Sequence, residues 1–181
     1  MDGTIKLTTK RLILRKETMA DAELLYNALG CDPQITQYTG WNPYATRASA
    51  SEKVAEDIRN YEKPGCYAWI IQHGEEVVGT VGAYGYDPDA SSIEIGYSIF
   101  RASWGNGFAS EAVSEAVRYL FENEWINRVH AWCHSENAAS SKVLERAGLR
   151  QEGLLKRAIR NSDGSLSDQK LYGAIYKEWG L

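Results

Sequence analysis

A glycine-rich loop is the segment of the chain whose residue types and spacing point most directly to chemistry. It contains Gly105 and Gly107, and the apolar residues that follow it, from Ala109 to Phe121, recur at the spacing of one helix face. Unpaired N–H groups and a partial positive charge at a helix N-terminus attract anions, and small residues leading into the helix let a phosphate reach the backbone. The pattern therefore predicts a pyrophosphate site, and the alternative is an ordinary tight turn built on two glycines.

Two common phosphate-binding motifs do not fit this loop. The dinucleotide fingerprint needs a further glycine where Ser110 stands, and a P-loop needs Gly-Lys followed by Ser or Thr. A nucleotide-binding redox domain, which would bind NAD(P), is therefore disfavoured.

The elements that must position this loop alternate along the chain. Seven runs have the composition of strands, and they span residues 11–15, 67–72, 77–86, 92–100, 128–133, 149–159 and 169–176. Helices are predicted after the capping pattern at Thr18 as far as Leu29, in a short segment opened by Ser49, over residues 109–121 and over residues 137–147. At 181 residues the chain suits a single domain, residues 1–181, with a core of about residues 10–176. We expect a mixed, mainly antiparallel α/β sheet of six to seven strands covered by helices on both faces.

Three segments in order resemble the GNAT superfamily of N-acyltransferases that use acetyl-CoA, and within it the RimJ/RimL-like branch, which acetylates protein N-termini. The coenzyme loop of that family has the form Gln/Arg-x-x-Gly-x-Gly/Ala, and residues 104–109 match it everywhere except at Trp104, where this branch commonly has tryptophan. Residues 94–99 before the loop, and residues 137–140 and 147–149 after it, are also similar to the family. The resemblance covers nearly the whole chain and implies a GNAT-like fold with acetyl-CoA as the cosubstrate.

The resemblance also implies which residues hold the coenzyme. The glycine loop would bind the pyrophosphate, and backbone N–H groups of the preceding strand would bind the oxyanion and pair with the pantetheine arm. Asn137 would contact the pantetheine amide, unless it only caps its helix. The expected coenzyme residues are Tyr97, Ser98, Ile99, Trp104, Gly105, Asn106, Gly107, Phe108, Ala109, Ser110 and Asn137. The nearest basic candidates for the phosphates, each of which is otherwise a solvated surface charge, are Arg101, Lys142 and Arg146.

Acetyl transfer to an amine requires a neutral amine, a stabilised oxyanion and a protonated leaving thiolate. An α-amino group has a pKa of about 7.7–8.0, so a modest base acting directly or through water suffices. Along the strand before the loop, large side chains alternate with Glu94, Gly96 and Ser98, which share the thinner face. Glu94 would have room there to meet an amine, where the family resemblance places the acceptor. Glu94 is the candidate general base, and a solvated glutamate is the alternative.

The acid that protonates the thiolate departs from the usual family pattern. Many relatives use a tyrosine seven residues after the helix asparagine, but this chain has Leu144 there. Ser140, three residues after Asn137, is the substitute that the Rim-type branch implies, and an ordinary helix-surface hydroxyl is the alternative.

The sequence specifies the acceptor less closely than it specifies the coenzyme. An aromatic loop carries Tyr38, Trp41 and Tyr44, which would stack on an acceptor or pack as core, and His134 at the end of its strand would line the same site. The subfamily resemblance favours a peptide or protein N-terminus. The alternatives are a small amine such as a polyamine or aminoglycoside, and a noncatalytic CoA-binding module that has lost the chemistry.

Composition narrows the remaining classes of function. Twenty basic and twenty-four acidic residues give a net charge of −4, which argues against nucleic acid as a partner. Three widely spaced cysteines, Cys31, Cys66 and Cys133, are typical of free thiols in a reducing compartment. No stretch approaches the ~18 apolar residues of a membrane span, so we expect a cytoplasmic protein, either a monomer or a homodimer.

A metal site is not expected. His130 and His134 would share one strand face, but no third ligand stands at a recognisable spacing.

Overall fold

A single eight-stranded sheet organises the computed structural model, which describes residues 2–38, 42–161 and 163–179. The spatial order is β1-β2-β3-β4-β5-β6-β8-β7, and every neighbouring pair is antiparallel apart from β5 and β6. The strands are β1 (Leu7–Thr8), β2 (Leu12–Arg15), β3 (Tyr67–His73), β4 (Glu76–Asp87), β5 (Ser92–Ile99), β6 (Arg128–His134), β7 (Arg150–Arg160) and β8 (Leu166–Ile175). The predicted mixed, mainly antiparallel sheet is confirmed. It has eight strands where six to seven were expected, because β1 adds a two-residue pairing too short to show any periodicity.

Helices cover both faces of the sheet, as predicted. They are α1 (Asp21–Leu25), which continues as a π-helical turn (Tyr26–Gly30), α2 (Pro33–Thr36), α3 (Arg47–Asn60), α4 (Phe108–Glu122) and α5 (Ala138–Arg146). The α3 helix has 14 residues, where the sequence predicts only a short helix. A capping box explains its start, since the Thr46 hydroxyl accepts from the Ser49 N–H and the Ser49 hydroxyl accepts from the Thr46 N–H, each at 3.0 Å.

Two apolar cores hold these layers together. On one face α4 buries Ala112, Val113 and Leu120, all fully shielded, against strand residues such as Ile93 and Ile95. The other face packs against α1 and α3 through a smaller cluster that includes Leu25, Ala50, Val54, Ile70 and Phe100. Because burying a side chain of the size of valine or leucine contributes about 1.5–3 kcal/mol, the periodic face of α4 fixes the helix to the sheet.

The parallel pair β5 and β6 stays together for only part of its length. Pairing runs from Ser92 with Arg128 to Glu94 with His130, and β5 then continues to Ile99 without β6 as its partner. The sheet therefore opens between the carboxyl ends of these two strands, and the following segment delivers the glycine loop to this opening. Among the described residues, no helix is long and apolar enough to cross a membrane.

Candidate active site

A cavity of about 1110 Å³ occupies the opening between β5 and β6. One part is lined by the end of β5, the glycine loop, the end of β6 and α5. The other part extends across β4 and β3 to α3 and the segment before α1. The cavity therefore joins the predicted coenzyme loop to the face of the sheet that carries Glu94.

The glycine loop adopts a backbone conformation that favours glycine at two positions. Gly105 and Gly107 have φ values of 78° and 76°, in the left-handed region, and Gly107 is the N-cap of α4. A Cβ on Gly107 would meet only Arg11 Nη2, at 3.6 Å, so the backbone conformation and not crowding requires glycine there. Ala109 and Ser110, in the first turn of α4, line the cavity. N–H groups of a first helical turn have no intrahelical acceptor, so they are available to a phosphate.

An arginine outside the loop holds the loop in place. Arg11 Nη1 donates to the Asn106 carbonyl at 3.0 Å, and Arg11 Nε donates to the Glu111 carboxylate at 2.6 Å. The Asn106 side chain turns back to donate to the carbonyls of Ser103 and Trp104, at 3.2 and 3.3 Å. Asn106 is therefore a residue of the loop's own framework and does not line the cavity.

The other predicted coenzyme residues converge on this region. The Trp104 indole N–H donates to the Ile99 carbonyl at 2.8 Å, which ties the loop to the end of β5. The remaining members that line the cavity are Tyr97, Ser98, Ile99, Trp104, Gly105, Gly107, Phe108 and Asn137. Lys142 and Arg146 also line it, whereas Arg101 does not, because its Nε pairs with Asp32 Oδ2 at 2.7 Å.

Glu94 lines the cavity on the face of β5 turned away from α4. The Tyr84 hydroxyl donates to Glu94 Oε1 at 3.0 Å, and the two residues are direct cross-strand partners. Gly96 makes this contact possible, since a Cβ there would lie 2.8 Å from the Tyr84 hydroxyl. The space beside Glu94 that sequence analysis assigned to the amine is therefore shared with a phenol that sequence analysis missed.

His130 stands opposite Glu94 on β6 but does not line the cavity. Burial lowers the pKa of His130 below its ordinary value, and the nearby negative charge of Glu94 partly opposes that effect. Among residues 2–38, 42–161 and 163–179, no three His, Cys, Asp or Glu side chains cluster as ligands for a metal ion.

The hydroxyl of Ser140 meets a second hydroxyl in the cavity. Ser140 Oγ and the Tyr97 hydroxyl share a hydrogen bond of 2.7 Å, and both residues line the cavity. Burial raises the pKa of Tyr97, so its hydroxyl keeps its proton near neutral pH. Asn137 Oδ1 accepts from the Ser140 N–H at 3.0 Å and so caps α5. Leu144, at the position where the family resemblance implied a tyrosine, is fully buried.

The residues proposed for the acceptor lie in different surroundings. Tyr38 lines the cavity, and its ring centroid lies 5.1 Å from that of His134, which is buried and also lines the cavity. Tyr44 lines the cavity but is only 9% exposed and belongs to the core beneath α1 and α3. Trp41 lies outside the described residues. The buried Cys133 lines the cavity, and burial raises the pKa of its thiol.

Sequence analysis also missed a set of polar side chains at the α3 end of the cavity. Glu17, Lys53, Asp57 and Tyr61 all line this end. Glu17 lies before α1, Lys53 and Asp57 lie on α3, and Tyr61 follows α3. No sequence motif links these separate segments. Only the tertiary fold brings them together.

Known proteins that are similar to this chain in sequence or fold include acetyltransferases. The profile of the acetyltransferase (GNAT) domain matches residues 11–150. The chain is 33% identical over 175 residues to the uncharacterized N-acetyltransferase p20 of Bacillus licheniformis, covering 96% of this chain and 97% of that protein. It is 27% identical to the ribosomal-protein-serine acetyltransferase of Escherichia coli (strain K12), covering 72% of this chain and 70% of that protein. Its fold is similar to that of RimL, a ribosomal L7/L12 alpha-N-protein acetyltransferase in complex with coenzyme A, with a TM-score of 0.87 at 21% identity over 94% of this chain and 98% of that one.

Proposed function

Since the chain belongs to the GNAT family of N-acetyltransferases, we propose that it transfers the acetyl group of acetyl-CoA directly to the α-amine of a peptide or protein N-terminus. The observation that carries the proposal is the single cavity that joins the glycine loop to Glu94. Two of the similar proteins are named as acetyltransferases of ribosomal proteins, which favours this acceptor over a small amine.

The residues of the loop fit a coenzyme with a pyrophosphate. Two left-handed glycines lead into the first turn of α4, whose cavity-lining residues Ala109 and Ser110 offer free N–H groups. Lys142 and Arg146 add positive charge on the α5 side of the cavity. Acetyl-CoA supplies the activated acetyl group when it is bound. Backbone N–H groups between Tyr97 and Ile99 would meet the negative charge that develops on the acetyl oxygen.

Glu94 would remove the proton from the acceptor amine, directly or through water. An α-amino group with a pKa of about 7.7–8.0 is partly neutral at physiological pH, so a carboxylate is a sufficient base. The Tyr84 hydroxyl holds Glu94 Oε1 in place by its hydrogen bond and leaves the other carboxylate oxygen for the amine. Tyr84 is thus a positioning residue in this proposal.

Ser140 would deliver a proton to the departing sulfur. Its hydroxyl is bonded to that of Tyr97, which keeps its own proton because burial raises the pKa of Tyr97. Ser140 would pass its hydroxyl proton to the departing sulfur, while the Tyr97 hydroxyl keeps its own proton and donates a hydrogen bond to Ser140 Oγ. A proton from solvent would then restore the Ser140 hydroxyl. In this proposal Ser140, supported by Tyr97, protonates the thiolate in place of the tyrosine that the family resemblance implies at the position of Leu144.

The test is the release of free CoA thiol from acetyl-CoA in the presence of two panels of acceptors. One panel contains peptides with free N-termini, and the other contains polyamines, aminoglycosides and other small primary amines. We expect kcat/KM to be highest for a peptide, with mass spectrometry locating the acetyl group on its α-amine. Higher kcat/KM for a small amine, or acetylation only at lysine side chains, would contradict the proposed acceptor.

A further inference from the structure

We propose that the acceptor carries a second cationic group and that Glu17, beside Asp57, binds this group at the α3 end of the cavity. The inference rests on the proposed function, because it treats the part of the cavity beyond Glu94 as the acceptor site. It adds a requirement on the acceptor that the proposed reaction does not itself impose.

The route from Glu94 to Glu17 crosses a floor of small residues. Ala68, Gly82 and Gly96 are cross-strand partners on β3, β4 and β5, and all three line the cavity. The Glu17 N–H donates to the Tyr61 hydroxyl at 2.6 Å, and that hydroxyl donates to the Ala68 carbonyl at 3.1 Å. Ala68 and Gly96 are therefore two strand spacings, or roughly 10 Å, apart, and Glu17 lies at the Ala68 end of the floor. An extended aliphatic chain spans such a distance.

One carboxyl oxygen of Glu17 is buried without a hydrogen-bond partner in the part of the chain that the structure describes. Glu17 is only 5% exposed and lines the cavity, and its Oε2 is buried without a hydrogen bond among the residues that the structure describes. A buried carboxylate is costly unless a cation or hydrogen-bond donors compensate it. A ligand that enters the cavity with a positive charge would supply that compensation.

Two of the nearby protein cations are already paired with other carboxylates, and a third, Lys16, stands with Nζ over the Tyr61 ring, 4.9 Å from its centroid. Lys53 forms an ion pair with Asp57 on α3. Arg15 donates to both carboxylate oxygens of Asp21, at 2.9 and 2.6 Å. Burial, followed by the negative charge of Asp57, raises the pKa of Glu17 to about 8. A cation beside Glu17 would favour its ionised form, so binding of the cation would release a proton.

The surrounding surface suits an alkylammonium group. Tyr44 and Tyr61 line this end of the cavity beside Leu29. Lys16 stands over the Tyr61 ring but does not line the cavity, and the aromatic and aliphatic side chains that line it accept the methylene stem of such a group. The exposed carboxylate of Glu56 adds further negative charge to the lining. Two sources offer this chemistry, namely a lysine side chain close to the N-terminus of a peptide and the second amine of an aliphatic diamine.

The first experiment compares matched acceptors on the wild-type enzyme and on Glu17→Gln. Peptides that differ only by lysine or norleucine at the second position test one source, and cadaverine against pentylamine tests the other. We expect the ratio of kcat/KM for the cationic over the neutral member of the preferred pair to fall roughly 10- to 100-fold in Glu17→Gln, the range of a lost charged hydrogen bond. The matched control is Glu52→Gln, which removes an exposed charge from α3 outside the cavity and should leave the ratio unchanged.

A second experiment separates this inference from the proposed function. Calorimetry in buffers of different ionisation enthalpy measures cadaverine binding and the accompanying proton release, with no need for turnover. Tighter binding to the wild type than to Glu17→Gln, with a proton released only by the wild type, supports the subsite even if no acceptor is acetylated. Equal cadaverine binding by both proteins, together with an unchanged kcat/KM ratio for both acceptor pairs, overturns it, even where acetyl transfer to N-termini is observed.

Discussion

The buried carboxyl of Glu17 should make the free energy of unfolding depend on pH, and the substitution Glu17→Gln should remove that dependence. Burial is the main cause that raises the pKa of Glu17 from 4.5 to about 8, and the charge of Asp57 adds to it. A carboxyl that binds its proton more tightly in the native state than in the unfolded chain favours folding at low pH. Its contribution is fully present below the unfolded pKa and is lost as the pH rises through the native one.

The magnitude follows from these two pKa values. At roughly 1.4 kcal/mol per pH unit, the interval from 4.5 to about 8 corresponds to about 5 kcal/mol at high pH. About 3 kcal/mol of this is lost between about pH 5.5 and about pH 8.5. Glu17→Gln removes the titration and keeps the shape of the side chain. The wild type should therefore lose about 3 kcal/mol of unfolding free energy relative to this variant over that interval.

Urea denaturation at the two pH values, followed by tryptophan fluorescence and far-UV circular dichroism, measures this difference. Comparison of the two proteins cancels most of the titration of other groups. The charged and titratable groups that act on this site are Asp57, Lys53, Asp21, Arg15, Tyr44 and Tyr61. Glu52→Gln, at an exposed position on α3, should show no such pH dependence. A difference between wild type and Glu17→Gln that changes by less than about 0.5 kcal/mol between the two pH values would refute the reasoning.

Three further substitutions test the contacts around the glycine loop and the proposed acid and base. Tyr97→Phe removes the hydroxyl bonded to Ser140 and should lower kcat roughly 10-fold with little change in the KM for acetyl-CoA, as steady-state kinetics would measure. Tyr84→Phe removes the donor to Glu94 and should lower kcat/KM for the acceptor about 3- to 10-fold. Arg11→Ala releases the glycine loop and should raise the KM for acetyl-CoA roughly 5- to 10-fold, with a smaller effect on kcat.

Matched controls exist for each of these changes. Tyr176→Phe removes a phenol hydroxyl and Arg59→Ala removes a guanidinium, and both side chains are exposed and lie outside the cavity. A Tyr97→Phe variant that raises only the KM for acetyl-CoA would remove Tyr97 from the proton path. An Arg11→Ala variant no different from Arg59→Ala would show that the loop holds its shape without Arg11.

Features that depend on neighbouring residues were predictable from the sequence. The apolar spacing after the glycine loop predicts the buried face of α4, where Ala112, Val113 and Leu120 are fully shielded. Gly105 and Gly107 adopt left-handed backbone because a turn into a helix requires it at that point. Helix periodicity and turn preferences depend on residues that are close in the sequence, so they can be predicted from a single sequence.

Contacts that depend on register and long-range packing were not predictable. Tyr84 reaches Glu94 only through the pairing of β4 with β5, and an irregularity after Tyr84 shifts that pairing by one residue before the turn. Tyr97 and Ser140 are 43 residues apart in the chain. Arg101 illustrates a contact that the sequence suggested and the fold does not form. Its charge suggested a phosphate contact, but its side chain pairs with Asp32, which is distant in the sequence.

The most direct test of the central claim measures coenzyme binding and acetyl transfer separately in Glu94→Gln. Thermal unfolding with acetyl-CoA at about 100 times its Kd should show about 2.7 kcal/mol of stabilisation in both the wild type and the variant. Thiol release with a peptide acceptor should fall roughly 100- to 10,000-fold in the variant, the range expected for loss of a general base. Unchanged thiol release in Glu94→Gln would contradict the assignment of Glu94 as the base, and loss of coenzyme binding together with activity would show that Glu94 acts on the coenzyme site instead.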